Sequence, residues 1–303
     1  MRKFIVLAMC ILVCFAQSFA QKFELKGLEI YNPAYSNPAF TSSDKFVQTD
    51  LIAYDLKYYN GYWFNAMSSL PNSNSSIGVS VAGSKYYRNY SSIQRDRSEE
   101  NIVYRGNRYR ISYAYTHTFT DQFKLSGGIN YVHSIMNVSD TTTNLISRNT
   151  GFVNTGLKLS YRKLYAGISA GIGLYARNKQ LNEANMSEVT WEKMNTFSSS
   201  FIAGYSLGGE RRVNFDPLIG YYFAKDLDTD FSEFGFYAGG TLSLLHIVGV
   251  GFTVGDQFSI STSISFPKRA SLIVGLYQTE GSFNDYGLGV EPLSFIAQLR
   301  IKL

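Results

Sequence analysis

A histidine followed directly by a serine is the residue pair in this sequence that most resembles catalytic machinery. His133 precedes Ser134, and a histidine base beside a serine nucleophile is an arrangement that hydrolases use. Adjacent residues on a β-strand point to opposite faces, so these side chains could not come within the roughly 3 Å that proton transfer requires. His133 instead shares its face with Ile129 and Tyr131, which favours an aromatic belt. We therefore predict no catalytic residues and no enzyme.

An acidic run resembles the start of a calcium-binding loop. Asp226, Asp228 and Asp230 are spaced by single residues, as in such loops. The match then ends, because Phe231 occupies the position where the sharp turn needs glycine, and Tyr237 occupies the position of the bidentate glutamate. A solvated acidic loop is the ordinary interpretation, with contact to a divalent cation as the alternative. We predict no metal site.

Three glycines could suggest a loop that binds a dinucleotide. Gly249 and Gly251 are separated by one residue, and Gly255 follows them. A dinucleotide loop must open a helix, but no helical pattern follows here. Glycines within strand-like sequence more simply relieve the curvature of a sheet. We predict no cofactor.

Composition and charge narrow the class of protein. Aromatic residues make up 16% of the chain, whereas charged residues are held to 17%, below the roughly 25% usual in soluble proteins. Removing Arg2 and Lys3 with a signal segment leaves 26 of the 28 basic residues against 23 acidic residues. A chain so close to neutrality, with no run of Lys or Arg, is not expected to bind nucleic acid.

The first twenty residues have the three parts of a secretory signal. Basic residues precede an apolar run over 4–15, and a small-x-small cleavage site occupies 18–20. The apolar run is too short to cross a bilayer as a helix. Cys10 and Cys14 both lie within this segment, so we expect the mature chain to have no thiol.

The rest of the chain alternates between apolar and polar residues with the period of a β-strand. In the stretch 257–266, Phe258, Ile260 and Ile264 fall on one face while serines fall on the other. We predict fourteen strands, at 46–57, 62–70, 76–87, 107–119, 122–136, 151–161, 164–177, 195–207, 212–224, 231–243, 246–254, 257–266, 268–278 and 293–303. Such lengths suit the roughly 9–11 residues that a tilted strand needs to cross hydrocarbon.

The connections between these strands indicate how the sheet closes. Alternate connections are short, whereas those after the third, fifth, seventh and thirteenth predicted strands run to a dozen residues or more. An outer-membrane barrel has short periplasmic turns on one rim and long outer loops on the other. A soluble sandwich has no reason to sort loops in this way. The prediction is an all-β, closed antiparallel transmembrane barrel of about fourteen strands, over residues 46–303, in the outer membrane of a Gram-negative bacterium.

Two further expectations concern the surface of this barrel. We interpret Arg88 to Arg110 as an outer loop of mixed charge, which could contact the phosphates of lipopolysaccharide or could merely be solvated. The last strand is expected to act as an insertion signal, with Leu299 facing lipid and Gln298 facing the lumen. The predicted non-protein partners are therefore outer-membrane lipid and lipopolysaccharide.

A short leader over residues 21–45 precedes the first strand and contains two Asn-Pro steps. These steps force turns and remove backbone donors, so the leader cannot be a regular helix or a central strand. Its motif resembles the N-terminal signature of the PorP/SprF family of type IX secretion outer-membrane proteins. The residues that carry the resemblance are Tyr31, Asn32, Pro33, Tyr35, Asn37, Pro38, Ala39 and Phe40. The family usually continues with Ala-Gly, where this chain has Thr41 and Ser42.

The resemblance and the barrel pattern predict different functions. The resemblance implies a non-enzymatic barrel that associates with type IX secretion components, or with a secreted adhesin carrying a C-terminal sorting domain, and supports its secretion or surface anchoring. The leader would then bind such a partner, or would fill the barrel as a plug. The alternative is a passive or substrate-selective channel, because serines and glycines on the lumen face of 257–266 would line an aqueous path.

Overall fold

A computed structural model describes most of the chain from residue 33 onward. The described residues are 33–35, 37–41, 47–56, 59–71, 73–89, 101–139, 145–181, 187–207, 213–226, 232–245, 247–255, 257–266, 270–279 and 294–302. No helix among them combines the length and the apolar character needed to cross a bilayer.

The described residues form two short 3-10 helices and fifteen strands. The 3-10 helices are Pro33–Tyr35 and Pro38–Thr41. The strands are β1 (Val47–Leu56), β2 (Tyr59–Ser69), β3 (Ser75–Asn89), β4 (Asn101–Thr120), β5 (Phe123–Ser139), β6 (Leu145–Tyr161), β7 (Leu164–Leu181), β8 (Ser187–Lys193), β9 (Thr196–Tyr205), β10 (Val213–Asp226), β11 (Ser232–Leu244), β12 (Val248–Gly255), β13 (Gln257–Phe266), β14 (Ala270–Thr279) and β15 (Ser294–Lys302).

These strands close into one antiparallel barrel with fourteen positions around its wall. Each strand pairs with its neighbour in sequence, except that β8 and β9 both pair with β7. Because β1 also pairs with β15 and β6 with β7, the wall closes on itself. β8 and β9 share one position in the wall, because β8 pairs with residues 175–181 of β7 and β9 pairs with residues 164–172. The prediction of a closed barrel of about fourteen strands is confirmed, and each predicted strand has its counterpart.

Alternation along the strands separates an apolar outer face from a more polar lumen. On β13, Ile260, Ile264 and Phe266 are exposed on the outside, whereas Ser259 is buried on the inside. On β15, Leu299 faces out and Gln298 faces in, as the sequence predicts. Large apolar side chains are exposed outward on almost every strand. Such a continuous belt suits hydrocarbon rather than water, and it places this closed barrel in the outer membrane.

A bulge in β7 reverses its alternation. Ile172 and Leu174 face outward, but Leu174 is skipped in the pairing with β6, so Tyr175 also faces outward. Beyond this point the odd-numbered residues face out and Ala176 is buried on the lumen side. β8 and β9 separate next to the bulge, where Gly173 lies against Met194 and Thr196. The predicted strand 164–177 contains no signal for this reversal.

The structure corrects two expectations about the connections. β5 and β7 extend to Ser139 and Leu181, β6 begins at Leu145, and β8 occupies Ser187–Lys193, so most residues that we expected in the loops after the fifth and seventh predicted strands lie in strands. The described residues of the expected loop from Arg88 to Arg110 also lie in strands, at the end of β3 and the start of β4. Both corrections have one cause: strands here continue beyond the length that crosses the membrane, and their projecting ends are as polar as loops.

A buried polar cluster joins the first and last strands. Asp50 of β1 lies directly opposite Arg300 of β15, and its Oδ1 accepts hydrogen bonds from Arg300 Nε and from Gln298 Nε2, the latter at 3.1 Å. Gln48 Nε2 donates to the other carboxylate oxygen at 3.1 Å. Asp50 and Gln298 are fully buried. We call this cluster the closure seam, because it fixes the register in which the barrel closes.

Candidate functional site: the leader within the lumen

The described part of the leader lies inside the barrel. Its second 3-10 helix packs against β3, β4, β5 and β6, on faces that point into the lumen. Ala34, Asn37, Ala39 and Thr41 are all at least nine-tenths buried, although they precede the first strand of the wall. Of the two placements that the sequence leaves open, the described leader residues occupy the one inside the barrel.

Asn37 fixes the leader to the backbone of the wall. Its Nδ2 donates to the carbonyl oxygens of Leu157 at 3.2 Å and Ile168 at 3.1 Å, which face each other across β6 and β7. Its Oδ1 accepts a hydrogen bond from the backbone N–H of Ala39 at 2.9 Å, which shapes the turn into the second 3-10 helix. One side chain therefore both folds the leader and attaches it to two strands.

Glycines in the wall provide the space in which the leader lies. A Cβ added at Gly128 would fall 2.5 Å from the backbone nitrogen of Ala39, and one at Gly167 would fall 2.8 Å from Asn37 Nδ2. Added Cβ atoms at Gly156 and Gly78 would similarly crowd Asn37 and Thr41, each at 2.9 Å. These four glycines lie on β3, β5, β6 and β7 and face inward. We call them the glycine seat.

Charged and aromatic side chains of the same wall complete the contacts. Arg110 Nη1 donates to the carbonyl oxygen of Ala34 at 3.0 Å, in a buried position. The ring of Phe40 packs edge-to-face on Tyr165, with centroids 5.9 Å apart. Lys158 Nζ lies 4.8 Å from the centre of the Phe40 ring. These contacts all lie on β4, β6 and β7, so the leader is held by one side of the barrel.

The opposite side of the lumen is lined by small residues. On β12 and β13 the inward positions are glycines and hydroxyl residues, and Thr253 Oγ1 lies 2.6 Å from Ser259 Oγ. Ser261 and Ser263 point into the lumen and remain half-exposed there, which requires open space beside them. We call β3–β7 the leader wall and β12–β13 the hydroxyl wall.

The other candidate residues of the sequence form no site in the described part of the chain. His133 faces outward, where its Nδ1 is 3.2 Å from the hydroxyl of Tyr175, whereas Ser134 faces the lumen and accepts a hydrogen bond from Arg108 Nε at 3.3 Å. The structure thus keeps this pair apart, as strand geometry predicts. Asp228 and Asp230 lie outside the described residues. Among the residues that are described, no group of three or more His, Cys, Asp or Glu could hold a metal ion.

The residues of the leader motif separate into three groups. Tyr31 and Asn32 lie outside the described residues, while Pro33 and Tyr35 begin and end the first 3-10 helix. Asn37, Pro38 and Ala39 are buried in the lumen, and Phe40 is half-buried against the wall. Their spacing therefore serves contacts within this chain.

Sequence reasoning missed the wall residues that receive the leader. Arg110 falls both in the predicted strand 107–119 and at the end of the expected outer loop, and neither prediction gives it a contact with the leader; Gly128, Gly156 and Gly167 are treated like the other strand glycines. A signal does exist: each of these glycines interrupts the polar face of a strand rather than its apolar face. Strand parity alone could have shown that three neighbouring strands leave space on the same side.

Comparison with known proteins gives a fold and no family. No family model and no curated protein matches the chain. Among solved structures, the toluene transporter TodX of Pseudomonas putida superposes with a TM-score of 0.52 at 9% identity, covering 89% of this chain and 92% of TodX. A TodX deltaS2S3 mutant, described as a monoaromatic hydrocarbon channel, gives a TM-score of 0.50 at 10% identity, with coverages of 89% and 92%. The chain thus has the fold of a known outer-membrane barrel.

Proposed function

We propose that this chain is an outer-membrane channel for small polar solutes, whose lumen the leader narrows from one side. The observation that carries this proposal is the difference between the two walls of the lumen. The described leader contacts fall on the leader wall, while Ser261 and Ser263 of the hydroxyl wall stay accessible. A path lined by hydroxyls offers hydrogen-bonding partners to hydrated solutes, so it suits polar rather than apolar cargo.

The fold supports a channel without naming its cargo. The similar structures are described as a transporter of toluene and a channel for monoaromatic hydrocarbons, and those substrates belong to those proteins. Gly249, Gly251 and the serines of β13 form a polar lining on this chain's free lumen wall. We therefore propose a transport role for this chain as well, but with small polar solutes as its cargo instead of aromatic hydrocarbons.

Conductance in planar bilayers tests the channel directly. We expect the purified full chain to conduct ions, and we expect deletion of residues 21–44 to raise the conductance because it removes the obstruction from the leader wall. Glucose uptake into vesicles, measured with and without the inserted protein, tests whether the path accepts a polar solute. The proposal is wrong if neither form conducts, or if vesicles that contain the protein take up glucose no faster than empty vesicles.

A second candidate function follows from the leader motif. The resemblance to PorP/SprF proteins supports association with type IX secretion components or with a secreted adhesin. Because Asn37, Pro38 and Ala39 are buried in the lumen, such a partner would bind elsewhere, or would bind the leader after it leaves its seat. Co-purification from outer membranes, with and without residues 21–44, tests this candidate. Recovery of a partner that depends on the leader would favour it over a simple channel.

A further inference from the structure

The outer face of β3–β8 changes in character toward one rim of the barrel. Outward residues pass from aliphatic to aromatic to basic along β4 and again along β7, in the orders Ile111, Tyr109, Arg105 and Ile172, Tyr175, Lys179. The strand pairing places the corresponding members of these series in the same rows across the sheet. This gradient marks where the hydrocarbon ends on this side of the barrel.

The aromatic level of the gradient is a connected cluster. The hydroxyl of Tyr175 lies 3.0 Å from that of Tyr131 and 3.2 Å from His133 Nδ1. The Tyr175 ring also lies over Gly151 and 5.7 Å from the ring of Trp191, which is 66% exposed. Aromatic rings with polar tips occupy the boundary between lipid tails and headgroups.

Basic side chains lie beside this cluster and beyond it toward the rim, since Lys193 is paired with Tyr175 while Arg177 and Lys179 are farther along β7. Arg177, Lys179 and Lys193 are exposed on the outward face of the β7–β8 hairpin, and Arg105 lies in the same row as Lys179. With β5 and β6 between them, Arg105 and Lys179 are about 14 Å apart at the backbone. The guanidinium of Arg177 stacks 5.6 Å from the Trp191 ring centre. We call these four residues the outer basic patch.

The hairpin sorts its charges by face. Glu188 and Glu192 alternate with the outward residues of β8, so they project on the opposite face from Arg177 and Lys179. On β4–β8, no outward position in the rows that contain the patch holds a carboxylate. Asp55 of β1 lies in the same row as Arg105, but three strands away from it. A hairpin that was merely solvated would gain from placing opposite charges beside each other. The sorting therefore indicates an anion outside the protein.

We propose that the outer basic patch binds the phosphate groups of lipopolysaccharide in the outer leaflet. The rim that carries the patch is opposite the rim with the short turns at 121–122 and 162–163, and short turns face the periplasm in barrels of this kind. Multiple phosphates on one headgroup suit several cations spread over one sheet, and arginine and lysine bind phosphate by charge-assisted hydrogen bonds. The patch continues the lipid-facing surface just where those headgroups lie.

Native mass spectrometry of the purified full chain with added lipids tests this assignment. The probes are diphosphoryl lipid A, monophosphoryl lipid A and phosphatidylglycerol. The test variant is Arg177→Ser with Lys179→Ser. The matched control is Arg162→Ser with Lys163→Ser, which removes the same two charge types from exposed positions in a turn at the other rim.

We expect the full chain to prefer diphosphoryl lipid A over phosphatidylglycerol, and the test variant to lose about tenfold in that affinity through two charged contacts. The control should stay within about twofold, since long-range attraction between exposed charges is screened. Equal losses in both variants, or equal binding of phosphatidylglycerol, would overturn the proposal. If the double variant fails to insert, the single variant Lys179→Gln is tested instead. It must bind diphosphoryl lipid A with a smaller preference over monophosphoryl lipid A than the parent does, and an unchanged preference would equally refute the site.

Discussion

The leader wall and the hydroxyl wall belong to one sheet but differ in height and in lumen surface. β4 and β7 have 20 and 18 residues, whereas β12 and β13 have 8 and 10. About 9–11 residues are enough to cross hydrocarbon, so the hydroxyl wall only spans the membrane while the leader wall projects beyond it. The difference teaches that spanning sets a minimum length, and that the additional residues of the leader wall carry other interactions.

The outer faces of both walls present apolar side chains to lipid, and a test of this shared property is expected to give the largest effect. We expect Ile264→Arg, on the lipid side of β13, to cost about 2–4 kcal/mol in folding free energy near the membrane centre. Ser263→Arg, one residue away but on the lumen side, should assemble much better because its charge can reach water. After refolding into lipid vesicles, the fraction of each variant that is folded is measured on gels, where the folded barrel migrates differently from the heat-unfolded chain. Equal assembly would mean that the assigned faces are wrong.

Adding one methyl group to a lumen-facing glycine should displace the leader on the leader wall but not on the hydroxyl wall. Gly128→Ala would place a Cβ against the backbone of the leader, which cannot move aside as a side chain can. We expect a cost of about 1–3 kcal/mol to the seated state. Its matched control is Gly251→Ala on the hydroxyl wall, where the added Cβ would meet only the Ser261 hydroxyl, at 2.6 Å.

A cysteine at Thr41 can report where the leader lies. Thr41→Cys replaces a buried side chain by one of similar size, and its rate of labelling by a soluble thiol reagent reports exposure. Against this background, Gly128→Ala should label about tenfold faster or more, and Gly251→Ala should label at the parent rate. Identical rates in the two glycine variants would remove the structural distinction between the walls.

Asn37 offers a smaller change at the same interface. Asn37→Asp keeps an acceptor for the Ala39 N–H but turns a carboxylate toward the carbonyls of Leu157 and Ile168. We expect about 1–3 kcal/mol of weaker seating, read as faster labelling at position 41. Asn154→Asp removes the donor of a 2.8 Å bond to Asn130 within the wall, and it should leave the leader labelling unchanged. Equal effects would assign the change to general loosening of the wall.

Phe40 is expected to give the smallest effect. Phe40→Leu keeps apolar volume but removes the ring that contacts Tyr165 and Lys158, which is worth about 0.5–1.5 kcal/mol. Phe223→Leu is the control, because that ring stacks on Tyr221 with centroids 6.5 Å apart, on the lipid side of β10. Labelling at position 41 should accelerate a few-fold in the first variant only. Unchanged labelling in Phe40→Leu would mean that the hydrogen bonds of Asn37 and Arg110, and not the Phe40 ring, keep the leader in place.

The sequence predicts the barrel better than it predicts the contents of the barrel. Alternation such as that of β13 is a local property, so strand positions and faces follow from neighbouring residues. Most leader contacts join residues more than 70 positions apart, as between Ala34 and Arg110, and no local pattern encodes such a pair. The bulge at Leu174 is equally invisible, because apolar residues occur on both sides of it.

The closure seam has a consequence for the order in which the barrel assembles. Asp50 meets Gln298 and Arg300 across almost 250 residues of chain, so β1 must wait as an open edge until the last strand has been delivered. An open edge pairs readily with the wrong strand or the wrong chain. A slip of one residue would turn Arg300 toward the lipid and leave Asp50 buried without its partner, which makes misregistered closure unstable and reversible. The seam thus works as a check on the register of closure, because only the native register gives the buried Asp50 carboxylate both of its partners on β15.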